Sequence, residues 1–218
     1  MPSHGSPGAA AGSNQAAWSV PANEPTAIHG QWVPSPGAEL LQAVLDEMGD
    51  LPLVAEDLGV ITADVTALRH QFGLPGMAVL QFAFDTHADN PHKPENVMLD
   101  TVYYTGTHDN DTALGWLRAL PDHVRQHVRW QLGLGEAVSD EQIVDAMIST
   151  VLHSRAALAV LPLQDVLHLG SEARMNTPGT DSGNWTWRFD WDDLPTNLAS
   201  HLLKQLQHSD RCGTPPLL

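Results

Sequence analysis

Two short stretches end in groups that could do acid–base chemistry. LPLVAEDLG (51–59) closes an apolar run with Glu56 and Asp57, and TVYYTGTHDND (101–111) closes one with His108, Asp109 and Asp111. A carboxyl with apolar groups on one side and another carboxylate nearby has a raised pKa, which suits a general acid. Glu56, directly after an apolar run, fits that description; a helix cap or a salt bridge in a strand–helix loop would use the same residue. His108-Asp109-Asn110-Asp111 offers two carboxylates, an imidazole and an amide. Such a set clamps vicinal sugar hydroxyls, holds a divalent cation or simply builds a turn. The cation reading is the weaker one, because an EF-hand-like loop needs further spaced oxygens and a closing Glu. Trp185 and Trp187 in SGNWTWRF, with Trp18 and Trp32, offer flat faces for sugar rings or for a core.

The elements that would position these groups alternate. Residues 51–55 read as a short apolar strand ending at Glu56, and Thr62 as the cap of a helix carrying Val65, Leu68 and Phe72, stopped by Gly73. A strand over 77–84 ends at Asp85, and another over 102–105 ends in the HDND cluster. Helical spacing covers 112–119, 121–132 and 139–153, with Ser139 and Gln142 spaced as a capping box. Residues 156–162 read as a fourth buried strand, followed by Gln164 and Asp165, and 193–207 as a last helix. Upstream, Ser35 and Pro36 look like an N-cap and first helical position, before Leu40, Leu41, Val44, Leu45 and Met48 at helical spacing and Gly49 as the stop. The proline-bearing segment 18–36 reads as a loop. Residues 1–16 read as a flexible leader, 17–208 as the folded part and 209–218 as a tail.

Continuously apolar strands alternating with helices predict an α/β fold, with a parallel sheet covered on both faces. In such a sheet the active site lies at the C-terminal ends of the strands, where the polar residues gather here. The formal charge of −16, from 10 Lys+Arg against 26 Asp+Glu, argues against nucleic acid and anionic membrane as partners. An uncharged, hydroxyl-rich substrate fits that balance better. The single cysteine, Cys212, excludes an intrachain disulfide framework or a cysteine-built zinc site. The opening MPSHGSPGAAAGSNQ lacks the basic and apolar regions of a secretory signal, and no apolar run reaches bilayer length, so a cytoplasmic location is expected.

Five blocks together resemble the C-terminal part of the 4-alpha-glucanotransferases (amylomaltase or disproportionating enzyme, glycoside hydrolase family 77). They are VAEDLGVIT (54–62), FGLPGMAVLQFAFD (72–85), YTGTHDNDT (104–112), SRAALAVLPLQDVLHLGSEARMNTPG (154–179) and SGNWTWR (182–188), with PTAIHGQWVPSPG (25–37) in support. The resemblance implies a (β/α)₈ TIM barrel, of which this chain would carry strands five to eight with the N-terminal half missing. It implies transfer of α-1,4-glucan segments to glucose or glucan acceptors by a retaining mechanism, with no metal or other cofactor. Maltooligosaccharides or other α-1,4-glucans would be the ligands. Position by position, Glu56 resembles the general acid/base, Asp109 the carboxylate that holds sugar hydroxyls and favours the oxocarbenium-like state, and His108 its hydroxyl-binding neighbour. Asp57, Phe82, Asp85 and Asn176 fall where the family lines its sugar subsites.

A retaining mechanism also needs a nucleophilic carboxylate. In this family an Asp in an Arg-hydrophobic-Asp-His-Phe-Arg-Gly-type motif supplies it. Counting back from Trp18, the motif would occupy Pro7–Asn14, where the chain reads PGAAAGSN with Ala9 at the nucleophile position. The expectation is a truncated chain that lacks its nucleophile and would need a complementary N-terminal half of the barrel. The alternative is a catalytically inactive glucan-binding module or pseudoenzyme fragment.

Overall fold

The structure is a computed structural model and describes residues 16–49, 52–56, 58, 59 and 61–213. Most of the expected leader, the residues aligned with the nucleophile motif, Asp57 and the end of the expected tail lie outside the described residues. The chain divides into two compact units, one running through Met77 and the other beginning at Ala78.

The first unit opens with a hairpin where the sequence suggests a loop. Strands β1 (Ala16–Ser19) and β2 (Gln31–Pro34) pair antiparallel, with Trp18 opposite Trp32. Their rings meet edge to face at 5.3 Å, and Trp18 Nε1 donates to the Ala27 carbonyl at 2.8 Å. The prolines do not prevent pairing. Pro21 and Pro25 fall in the connection and Pro34 at a strand end, while an aromatic cross-strand pair supplies the contact.

Helix α1 (Gly37–Met48) has Pro36, not Ser35, at its N-cap, and ends at Gly49, whose φ of 72° is left-handed. Helix α2 (Ala63–Gln71) starts after Thr62, whose side chain makes no capping bond, and buries Val65 and Leu68. The strand expected over 51–55 does not form among residues 52–56. Ala55 donates to the Pro75 carbonyl at 2.9 Å, but Leu53 and Val54 are exposed. One bond is not a ladder, and an apolar run becomes a strand only where neighbours pair with it.

The unit boundary falls within β3 (Gly76–Val79), which forms a three-stranded sheet with β4 (Thr101–Tyr104) and β5 (Leu158–Val160), in the order β3-β4-β5. β4 and β5 run parallel, with Val102 opposite Leu158 and Tyr104 opposite Val160. The strand expected to continue to residue 84 stops at Val79 and becomes a 3₁₀ turn, Leu80–Phe82, closed by Ala83 N–H on the Leu80 carbonyl at 2.9 Å. Nothing in MAVLQFAF signals that turn, since it contains neither Gly nor Pro. β3 and β4 are largely buried, as expected for covered strands, whereas Leu158 and Val160 of β5 are 37% and 36% exposed.

Three helices follow the sequence expectations within one residue: α3 (Ala113–Ala119), α4 (Asp122–Gln131) and α5 (Asp140–Leu152); the short α6 (Leu163–Val166) was not expected, and α7 (Leu198–His208) starts five residues later than the spacing suggests. Ser139 and Gln142 close the capping box on α5. That helix turns Val144, Met147, Ile148 and Val151 into a core with Leu80, Val97, Tyr103 and Leu114. The Tyr103 hydroxyl donates to the His92 carbonyl at 2.7 Å, and burial pushes its pKa up. The expected tail is tied down in part: Arg211 donates to the carbonyls of Leu152, Ser154 and Ala156 at 2.5, 3.0 and 2.9 Å.

Candidate functional site

β4 delivers the chain to Thr105, and α3 resumes at Ala113; the seven residues between form the loop that carries His108 and Asp109. Asn110 shapes this loop. Its Oδ1 accepts from the Thr107 N–H and hydroxyl, both at 2.9 Å, and its N–H donates to the Thr107 carbonyl. Asp111 is also occupied, accepting from the Thr112 N–H at 2.8 Å and the Ser171 hydroxyl at 2.6 Å. Of the four polar residues, two therefore build the turn.

The other two stand out of it. Asp109 has a half-exposed side chain, and its Oδ1 accepts from Asn176 Nδ2 at 2.6 Å and lies 3.2 Å from His108 Nε2. Among the described residues no donor reaches its Oδ2. The segment 174–176 is bound to the loop by its backbone as well. Asn176 N–H donates to the His108 carbonyl at 3.1 Å, and the Arg174 guanidinium donates to the carbonyls of Asp109 at 2.7 Å and Asn176 at 2.8 Å. Trp185 lies against His108, with ring centroids 5.0 Å apart and the planes tilted by 38°, and is itself 52% exposed. Its φ of 61° is unusual for a bulky residue, and its N–H donates to the Met175 carbonyl at 2.7 Å. A cavity of about 140 Å³ lies beside the loop, lined by His108, Asp111 and Arg174 among others.

Under the loop, Asp165 is 1% exposed and accepts from the Thr105 hydroxyl at 2.5 Å and the Ala113 N–H at 2.7 Å. Burial pushes its carboxyl above the usual range, against the opposing pull of those two hydrogen bonds; the charge of Asp111 adds to the rise and His168 opposes it.

Phe82 and Asp85 sit on the segment after β3 with partners of their own. Phe82 is exposed, meets His92 edge to face at 5.4 Å, and accepts from Asn90 Nδ2 at its carbonyl. Asp85 accepts from the His87 N–H at 3.1 Å and faces Lys93 Nζ at 3.6 Å. Desolvation is the largest single influence and raises its pKa, but together the hydrogen bonds with Asn90 and His87 and the His87 and Lys93 charges hold it below the ordinary carboxylate value. Gln81 joins this segment to the loop, donating to the Asp111 carbonyl at 2.9 Å. Glu56 belongs to the first unit, exposed and outside any regular element, so the apolar enclosure expected around it is not present there.

Thus His108, Asp109 and Asn176 come together although 67 residues separate the last two. Arg174 and the tilted Trp185–His108 ring contact were not foreseen from spacing, though both fall within the quoted blocks.

The family model described as 4-alpha-glucanotransferase (glycoside hydrolase family 77) matches residues 14–194. The chain belongs to this family. It is 46% identical over 204 residues to the 4-alpha-glucanotransferase of Thermus thermophilus, covering 90% of this chain and 40% of the relative. With the Synechocystis 4-alpha-glucanotransferase it is 50% identical over 187 residues, covering 85% of this chain and 36% of the relative. The amylomaltase from Streptococcus agalactiae in complex with acarbose superposes with a TM-score of 0.84 at 30% identity, covering 92% of this chain and 40% of that structure. The chain thus spans about two fifths of the length of these relatives and has part of the amylomaltase fold, a TIM barrel.

Proposed function

We propose that this 4-alpha-glucanotransferase family chain supplies the acid/base side of a site that transfers α-1,4-glucan segments with retention. What carries the reading is the Asp109–Asn176–His108 cluster with the open face of Trp185 above it. A carboxylate with one oxygen held by Asn176 and the other open can accept from a pair of vicinal hydroxyls. An aromatic face beside it suits the apolar face of a sugar ring. Glu56 protonates the leaving glycosidic oxygen and then takes the proton from the acceptor 4-hydroxyl, and Asp109 tightens on the hydroxyls as the ring flattens. Phe82 and Asp85 line neighbouring subsites. In this proposal the sheet strands are among strands five to eight of the barrel. The 218 residues contain no Arg-hydrophobic-Asp-His-Phe-Arg-Gly run. In this proposal the nucleophile belongs to the N-terminal half of the barrel, and the partly exposed Leu158 and Val160 of β5 support such a neighbour.

The test is maltotriose disproportionation followed by glucose release. The chain alone is expected to give none above buffer. Mixed with a polypeptide carrying the nucleophile motif it gives turnover, which Glu56→Gln lowers by about a thousandfold or more. Turnover by the chain alone would remove the two-part account. Maltotriose binding without turnover in either arrangement would favour the second reading, a glucan-binding module, for which the self-contained Asp109 cluster also speaks.

A further inference from the structure

We propose that Asp165 is a positioning residue, pinning both ends of the 106–112 loop with one carboxylate and so holding Asp109 in place for hydroxyl binding. The inference rests on the reading of Asp109 just given.

The two bonds fall at informative places. Thr105 is the last residue before the loop and Ala113 the first residue after it. Oδ2 takes the Thr105 hydroxyl and Oδ1 the Ala113 N–H, across 60 and 52 residues of sequence. Thr105, Ala113 and Asp165 are all buried, so water does not compete for these bonds. The loop is thereby closed at its base by a residue that belongs to neither flanking element. Asp165 itself follows β5 on the short helix α6, whose N-terminal turn places its N–H on the Pro162 carbonyl at 3.0 Å.

Capping alone does not require this arrangement. Thr112 already caps α3, accepting from the Gly115 N–H at 3.1 Å. Nor is a carboxylate a cheap way to fill space, because burial without compensation disfavours its charged form. What a carboxylate offers is two acceptors at a fixed separation, one for an O–H and one for an N–H. The loop's freedom is then restricted further along its length. Gln81 holds the Asp111 carbonyl, and a Cβ on Gly106 would lie 2.7 Å from Gln81 Nε2, so the backbone passes close there. Between these anchors the remaining mobile stretch is short, and Asp109 lies within it.

Hydrogen exchange and maltotriose titration on the full chain test this, using Asp165→Ala, Asp165→Asn and Thr105→Val. Asp165→Ala should speed exchange in residues 105–113 about tenfold or more, leave the core of α5 unchanged, and weaken maltotriose about tenfold. Asp165→Asn can keep both links, accepting from Ala113 and donating to the Thr105 oxygen, and should restore both readouts to within about threefold of wild type. Thr105→Val, which breaks one link without touching the carboxylate, should fall between, and serves if the alanine variant does not fold. Equal acceleration in α5 and the loop, unchanged loop exchange in Asp165→Ala and Thr105→Val, or an asparagine variant as damaged as alanine would overturn the proposal. Asp109→Ala separates the two ideas. If it leaves maltotriose binding intact, the sugar reading fails, while the exchange pattern still decides whether Asp165 pins the loop.

Discussion

Asp109 is held by the Asn176 amide beside the His108 imidazole, not by the Arg174 guanidinium. Asn176 donates to it at 2.6 Å, and Arg174, the nearby cation, spends its donors on backbone carbonyls instead. The carboxylate is therefore oriented without being neutralised by an ion pair to Arg174. Replacing Asn176 by Ala removes one hydrogen bond at a partly exposed site, so maltotriose affinity should fall only about three- to tenfold by calorimetry, with no change in thermal midpoint beyond about 2 °C. Trp185→Ala should weaken binding by a similar factor, because it removes the ring proposed to face the sugar and the contact with His108 together. The buried Asp165 makes a pH prediction. Its folded pKa lies above the ordinary value of 3.8, so the folded chain keeps this proton to higher pH than the unfolded chain does. That contribution to stability is fully present below the unfolded pKa and is lost as pH rises through the folded pKa. The stability difference, wild type minus Asp165→Asn, should therefore decline as pH is raised from about 3 and level off above the folded pKa. Urea unfolding of both chains at a series of pH values measures it; a difference that grows with pH would contradict the assignment.

At the scale of elements, α5 is where local and tertiary signals agree most fully. Its start is marked by the Ser139–Gln142 capping box, and its apolar spacing becomes the buried face Val144, Met147, Ile148 and Val151. Met147→Ala should cost about 2–5 kcal/mol, since the side chain is fully buried and its loss leaves a cavity. Ser139→Ala should cost only about 1 kcal/mol, the value of a cap at an exposed helix end. Urea midpoints of the two variants rank the terms. The strands were less legible. Residues 102–105 and 156–162 each contain a strand close to where apolar content suggests, but 77–84 breaks into strand and 3₁₀ turn, and 52–56 forms no strand. A helix satisfies its hydrogen bonds within one segment, whereas a strand's partners lie elsewhere in the chain. The Trp18–Trp32 hairpin makes the same point from the other side, since its proline-rich surroundings concealed a pairing that depends on register.

At the scale of the molecule, β5 is one described strand where cover is incomplete. It pairs with β4, and Leu158 and Val160 stay partly exposed, near Leu99 at 64% exposure. Covering a large apolar side chain contributes roughly 1.5–3 kcal/mol, so a neighbour over this region has a strong driving force. The chain by itself should therefore bind an apolar fluorescent dye, and an added polypeptide carrying the N-terminal half of the barrel should suppress that signal by at least about half. The charge of −16 works against self-association at low ionic strength, an effect that added salt screens.

The sequence by itself determined the family, the alternation of elements, the positions of α3, α4 and α5 and the motif blocks that bear the candidate site. Those features are local: a cap, a 3.6-residue period, a run of residue types in order. Only the tertiary structure decided which members of HDND build the turn and which stand clear of it, for that depends on Ser171 and Asn176 arriving from 60 and 67 residues away. It likewise decided that Asp165, one more acid after an apolar strand in the sequence, sits under the loop rather than in it. Burial and long-range hydrogen bonds give one carboxylate a structural task and leave another open, and neither is written in the neighbours along the chain.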